Sequence, residues 1–142
     1  MPYCTQADIQ DQLPLNDLIA LTDDDGFGEV NSVVIERAIS SASATIDSLC
    51  QGRFPLPLNP VTDKVRDSCV DLAIYNLLAR RAVDELPKFR VERKADALRY
   101  LEGVRDGKNL LGAATPEPTA SCQASIVSGQ SRLFSRDSQQ GL

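Results

Sequence analysis

The chain has 142 residues, 42% of them apolar but only 5% aromatic, with no tryptophan, no histidine and a net charge of −5. That apolar content predicts one modest core of Leu, Ile, Val and Ala, with no run of membrane-spanning length; the start, MPYCTQADIQ, lacks the basic and apolar segments of a secretion signal. The absence of histidine and of any CxxC pair among Cys4, Cys50, Cys69 and Cys122 argues against a zinc site.

In chain order, Thr5 suits the cap of a short helix over 6–12, with Asp8 in its first turn and Pro14 as its breaker. Asn16–Leu21 predicts a second short helical turn that offers Leu18, Ile19 and Leu21 for burial. Thr22–Glu29 (TDDDGFGE) reads as a polar turn. Asn31 then caps the first long helix, over 32–51, where Ile35, Ala38, Ile39, Ala42, Ile46, Leu49 and Cys50 recur at steps of three and four. Gly52 ends it. The prolines of Arg53–Pro60 (RFPLPLNP) exclude helix and predict an extended linker, after which Pro60 suits the start of the next helix.

That helix, over 61–84, is apolar round most of its circumference (Val65, Cys69, Val70, Leu72, Ala73, Ile74, Leu77, Leu78), which predicts the centre of the fold. Cys50 and Cys69 read as small core residues, and a cytosolic chain has little reason to form disulfides. After a short turn at 85–87, a third long helix over 88–106 places Val91, Ala95, Leu98, Leu101 and Val104 on one face, and Gly107 stops it. The fold class is therefore all-α: a small bundle of three main helices plus short N-terminal helices, in a domain spanning 1–112. Residues 113–142, rich in Ser, Gly, Pro and Gln, predict an extended arm whose own burial cannot offset its chain entropy and which takes its order from a neighbour. Within it, Ala124–Val127 and Arg132–Ser135 are candidates for strand pairing with another chain.

Charge is distributed unevenly. Residues 1–36 hold eight acids and no Lys or Arg, whereas 80–108 hold nine bases against six acids. One reading is two solvated surfaces. The sharper reading is a heterologous contact in which the acidic surface of one copy (Asp23, Asp24, Asp25) meets the basic surface of the next (Arg80, Arg81, Arg90, Arg93), closing into a ring.

Little catalytic chemistry is legible. A calcium loop wants acids at its first, third and fifth positions, Gly at the sixth and Glu at the twelfth. With Gly26 sixth, the first is Leu21 and the twelfth Ser32; with Gly28 sixth, the fifth is Phe27 and the twelfth Val34. Both registers lack the bidentate Glu, and an acidic turn before a helix N-terminus is the simpler account. Pro57-Leu58-Asn59-Pro60 fits a PxxP spacing but reads as a packed interhelical loop. With no histidine base, no GxSxG and no Gly-rich phosphate loop, neither catalytic residues nor a cofactor or metal are expected, and the chain is not expected to be an enzyme. On 88–108 the bases Arg90, Arg93, Lys94, Arg99 and Arg105 alternate with Glu92, Asp96, Glu102 and Asp106, so local pairing competes with a nucleic-acid face. A cytosolic regulatory or nucleic-acid-binding helical module using 88–108 stands as the alternative reading.

Several pieces resemble a known family. Tyr3-Cys4-Thr5 with Asp8, Leu21-Thr22-Asp23-Asp24-Asp25-Gly26, Ala38-Ile39-Ser40 leading to Ala44-Thr45-Ile46-Asp47, and Arg53-Phe54-Pro55-Leu56-Pro57-Leu58 are similar to the Mu-like phage head–tail adaptor family. So are Asp71-Leu72-Ala73-Ile74-Tyr75 with Arg80-Arg81, Ala97-Leu98-Arg99-Tyr100-Leu101 and Arg132-Leu133-Phe134-Ser135-Arg136-Asp137. The resemblance implies a helical, non-enzymatic protein of the virion neck, made in the bacterial host cytoplasm. Copies would form a ring, a dodecamer by resemblance, that joins the portal protein to tail completion or terminator proteins, with DNA only as passing cargo and no membrane partner. It also implies that Arg132, Leu133, Phe134, Arg136 and Asp137 are arm contacts. An arm of 30 residues reaches up to ~100 Å when extended.

Overall fold

The computed structural model describes residues 1–81 and 86–111. Five helices follow one another: α1 (Gln6–Gln10), α2 (Leu15–Thr22), α3 (Ser32–Cys50), α4 (Asp63–Arg81) and α5 (Lys88–Arg105), with no strand among the described residues. The fold is all-α. The boundary expected at 112/113 and the arm, including Arg132, Leu133, Phe134, Arg136 and Asp137, lie outside the described residues.

Local chemistry sets the helix ends. Thr5 and Asp8 form a reciprocal capping box on α1. The Asn31 side chain accepts the Val33 and Val34 N–H groups at 3.1 and 3.4 Å and so starts α3. Helix α4 begins at Asp63, not at residue 61. The Thr62 carbonyl accepts the Arg66 N–H at 3.0 Å, which leaves Pro60 in the linker and puts the Asp63 carboxylate at the helix's positive end. Helix α5 closes as a Schellman motif. Lys108 N–H donates to Gly103 O at 2.8 Å and Gly107 N–H to Val104 O at 3.1 Å, and Gly107 supplies the φ of +77° that this geometry requires.

Helix α4 is the hub, as its circumferential apolarity predicts: α1, α2, α3 and α5 all pack on it. Ile35, Ile39, Ala42 and Ile46 of α3 meet Val65, Cys69, Ile74 and Leu77 of α4 and Leu101 and Val104 of α5 in one cluster, closed by Ile9, Leu18 and Leu111. Each such fully buried aliphatic side chain contributes roughly 1.5–3 kcal/mol. Phe54 and Leu58 of the linker are also buried, so the PxxP segment is anchored to the core by Leu58, while Pro57, Asn59 and Pro60 are exposed.

Leu98, Leu101 and Val104 of α5 pack on the core as predicted, but the first turns of its buried face differ from the prediction. Val91 and Ala95 are exposed, and the inward stripe is Arg90, Ala97, Leu101 and Val104, with Lys94 half-buried between. The aliphatic stems of Arg90 and Lys94 take the place of apolar residues in the upper turns, the Lys94 ammonium lying 3.8 Å above the Tyr75 ring.

The N-terminal segment is fastened by polar contacts. Tyr3 N–H donates to Ser43 Oγ at 3.2 Å, and the Tyr3 hydroxyl donates to Asp47 while accepting the Leu58 N–H at 3.1 Å. One buried side chain thus joins the chain start, α3 and the linker. Burial and the bond to Asp47 push the Tyr3 phenol up to about 12.

Candidate partner interface

The turn between α2 and α3 is the most organised exposed segment. Thr22 Oγ1 donates to Leu18 O at 2.8 Å and accepts the Asn31 N–H at 3.2 Å, pinning both ends of the turn. The Asp23 carboxylate accepts the N–H groups of Gly28, Gly26 and Phe27 at 2.7, 2.8 and 3.1 Å. Gly26 and Gly28, at φ of +78° and +74°, let the backbone curl round that carboxylate.

Two arginines from the last turn of α4 grip the turn from outside. Arg81 donates to Ala20 O at 2.6 Å, to Asp23 O and to Asp24 Oδ1 at 2.7 Å; Arg80 donates to Leu21 O at 3.2 Å and pairs with Asp24. The guanidinium groups thereby satisfy the open carbonyls at the negative end of α2. The backbone amides, that of Gly28 first, hold the Asp23 carboxyl below the usual carboxylate range, and Arg81 then Arg80 do the same for Asp24. Phe27 stands 80% exposed at the tip, with Val33 of α3 exposed beside the base of the turn.

The candidate ring residues are therefore grouped differently from their sequence distribution. Asp24, Arg80 and Arg81 come together within one protomer, and Asp25 remains exposed. Arg90 is corrected from a surface contact to an interior one. It is only 8% exposed and donates to the Gln12 carbonyl at 3.3 Å, and burial lowers its pKa from the ordinary arginine value. Arg93 donates to Gln12 Oε1 at 3.2 Å and forms an ion pair with Asp71, its Nε 3.4 Å away without hydrogen-bond geometry. Burial raises the Asp71 carboxyl above its usual range in spite of Arg93 and Arg90. Along the rest of α5, Arg99 pairs with Asp96 at 2.8 Å, and Arg105 and Lys108 share Asp106.

Phe27 is a candidate contact residue that charge counting passed over. Its signal is an aromatic set between two glycines in an otherwise polar turn, where nothing local needs an apolar side chain.

Across residues 3–128 the sequence matches the family described as Bacteriophage Mu, Gp36. The chain belongs to that family. It is 34% identical over 95 residues to "Gene product J" of Escherichia phage Mu, an alignment covering 63% of this chain and 64% of that protein. It is 29% identical over 108 residues to "Mu-like prophage FluMu protein gp36" of Haemophilus influenzae, covering 75% and 74%. The chain thus spans just under two thirds, 64%, of the phage Mu relative's length. The Gp36 match takes in the Tyr3 hub, the clamped turn and all five helices, and it ends before Arg132–Asp137. Among the described residues of this Gp36-family protein, no helix is long and apolar enough to cross a membrane.

Proposed function

We propose that this Gp36-family protein is a structural head–tail adaptor of a tailed phage. Copies form a ring at the virion neck that joins the portal to tail completion proteins around the DNA channel, without catalysis or cofactor. The observation that carries the reading is the family match over residues 3–128. The clamped turn supports it. Ordering an interface loop in advance removes an entropic cost of association, and an exposed aromatic on a rigid tip is the usual form of an anchor residue. A net charge of −5 suits a wall past which DNA slides, because phosphates are repelled rather than held. The nucleic-acid alternative gains nothing from α5, where Arg90 is buried and Arg93, Arg99 and Arg105 have carboxylate partners.

The test mixes the purified full chain with the portal protein of its own phage and follows mass by sedimentation and shape by electron microscopy. A ring seated on the portal is expected, with deletion of 113–142 abolishing docking while helix content persists. A chain that stays monomeric beside the portal, yet binds duplex DNA with a steep salt dependence, overturns the proposal in favour of the nucleic-acid module.

A further inference from the structure

We infer that Cys4 and Cys69 are a redox-closable pair, which a peroxide converts into an intramolecular disulfide fastening the chain's N-terminal segment to α4. The inference is independent of the adaptor reading.

Three observations carry it. The two Sγ atoms lie 3.0 Å apart although 65 positions separate the residues, so about 1 Å of approach reaches the length of a disulfide bond. Both side chains are buried, Cys4 at 3% and Cys69 at 0% exposure, so neither is free to pair with another chain without local opening. Cys4 also forms part of the wall of a cavity of about 610 Å³ between the N-terminal segment and α3, shared with Met1, Pro2, Ile39 and Ser43. A molecule the size of hydrogen peroxide fits that space. The remaining described cysteine, Cys50, has no thiol neighbour among the described residues, and burial pushes its thiol up to about 11.

The surroundings favour the chemistry. The Cys4 S–H donates to Cys69, and the Ser43 hydroxyl lies 3.6 Å from the Cys69 sulfur. Both contacts favour a thiolate at Cys69 and keep the shared proton on Cys4, so the pair's thiolate fraction exceeds that of an isolated buried thiol. The thiolate of the pair attacks one peroxide oxygen, the O–O bond breaks, and the departing oxygen leaves as water after taking a proton. The sulfenic acid formed is then displaced by the second sulfur, and its oxygen leaves as a second water. In total two S–H bonds and one O–O bond are lost, one S–S bond and two O–H bonds are gained, and two electrons pass from the sulfurs to the peroxide.

Trypsin places the four cysteines in separate peptides: 1–37 with Cys4, 38–53 with Cys50, 67–80 with Cys69 and 109–132 with Cys122. The full chain is treated with a small excess of hydrogen peroxide, blocked with N-ethylmaleimide under denaturing conditions, digested and weighed. The expected product is peptide 1–37 linked to 67–80, with 38–53 alkylated. Tm should rise by more than about 5 °C, because the bond closes a long loop of the unfolded chain, and dithiothreitol should reverse the rise. Cys4→Ser should lose both the link and the Tm rise. Peptides 1–37 and 67–80 recovered singly, alkylated or as sulfinic acids, overturn the inference. So does a link from 1–37 to 38–53, or a Tm rise that survives in Cys4→Ser.

Discussion

Replacing Tyr3 with Phe removes one oxygen and little volume, so it isolates the polar tie at the chain start. Two hydrogen bonds are lost. The bond to Asp47 has a charged acceptor and belongs to a class worth about 1.5–3 kcal/mol; the bond from the Leu58 N–H leaves a buried donor unsatisfied, at about 1–3 kcal/mol. Asp47 is half-buried and recovers part of its loss from water, which brings the expected destabilisation to about 2–3 kcal/mol. Urea unfolding followed by far-UV circular dichroism should show the midpoint falling by roughly 1–2 M at unchanged slope. The same substitution should flatten the alkaline limb of stability. The phenol titrates near 10 when unfolded and at about 12 when folded, so its contribution is complete below pH 10 and is lost as pH rises through 12. Wild type should therefore lose stability across that window, and Tyr3→Phe should lack this component. A loss below about 0.5 kcal/mol, together with an unchanged alkaline limb, would refute the assignment of Tyr3 as a structural tie.

Three further outcomes are expected. Asp23→Ala should speed hydrogen exchange at the Gly26, Phe27 and Gly28 amides at least about tenfold while helix content holds, since its carboxylate binds all three; because the folded pKa lies below 3.8, wild-type order in the turn should persist above the ordinary carboxylate range and fade as pH falls below it. Phe27→Ala should leave unfolding stability within about 0.5 kcal/mol, as its ring is 80% exposed, yet weaken ring assembly or portal docking by roughly 10-fold or more in sedimentation assays. Ile46→Ala, at a fully buried α3 position facing the central cluster, should lower stability by about 2–5 kcal/mol in the same urea titration.

The sequence made the helices legible because their signals are local. Asn31, Thr5 and Gly107 act on neighbours within a few residues, and the apolar encirclement of α4 identifies the hub without knowledge of what surrounds it. On α5 Leu98, Leu101 and Val104 face the core as read, but the first two turns were misread by one position because Arg90 and Lys94 bury aliphatic stems, which a pattern of apolar letters does not register. The candidate site was harder to read. Asp24 meets Arg80 and Arg81 across 56 and 57 positions, and Cys4 meets Cys69 across 65, so no spacing rule reaches them. Charge counting singled out the acids of the turn and the arginines at the end of α4 as a contact between copies, but the packing of α2 on α4 pairs Asp24 with Arg80 and Arg81 inside one chain.

The anchoring of the chain's beginning by guanidinium groups of its second half bears on how the protein is made. Gln12 and the carbonyls closing α2 receive their arginine partners only once residues 80–93 exist. At about 5–20 residues per second, a ribosome needs on the order of 3–15 s to cover that interval. Throughout it, the nascent Ile9 and Leu18 lack the lid that α4 provides, and a message truncated before α4 yields a sticky fragment rather than a smaller working subunit.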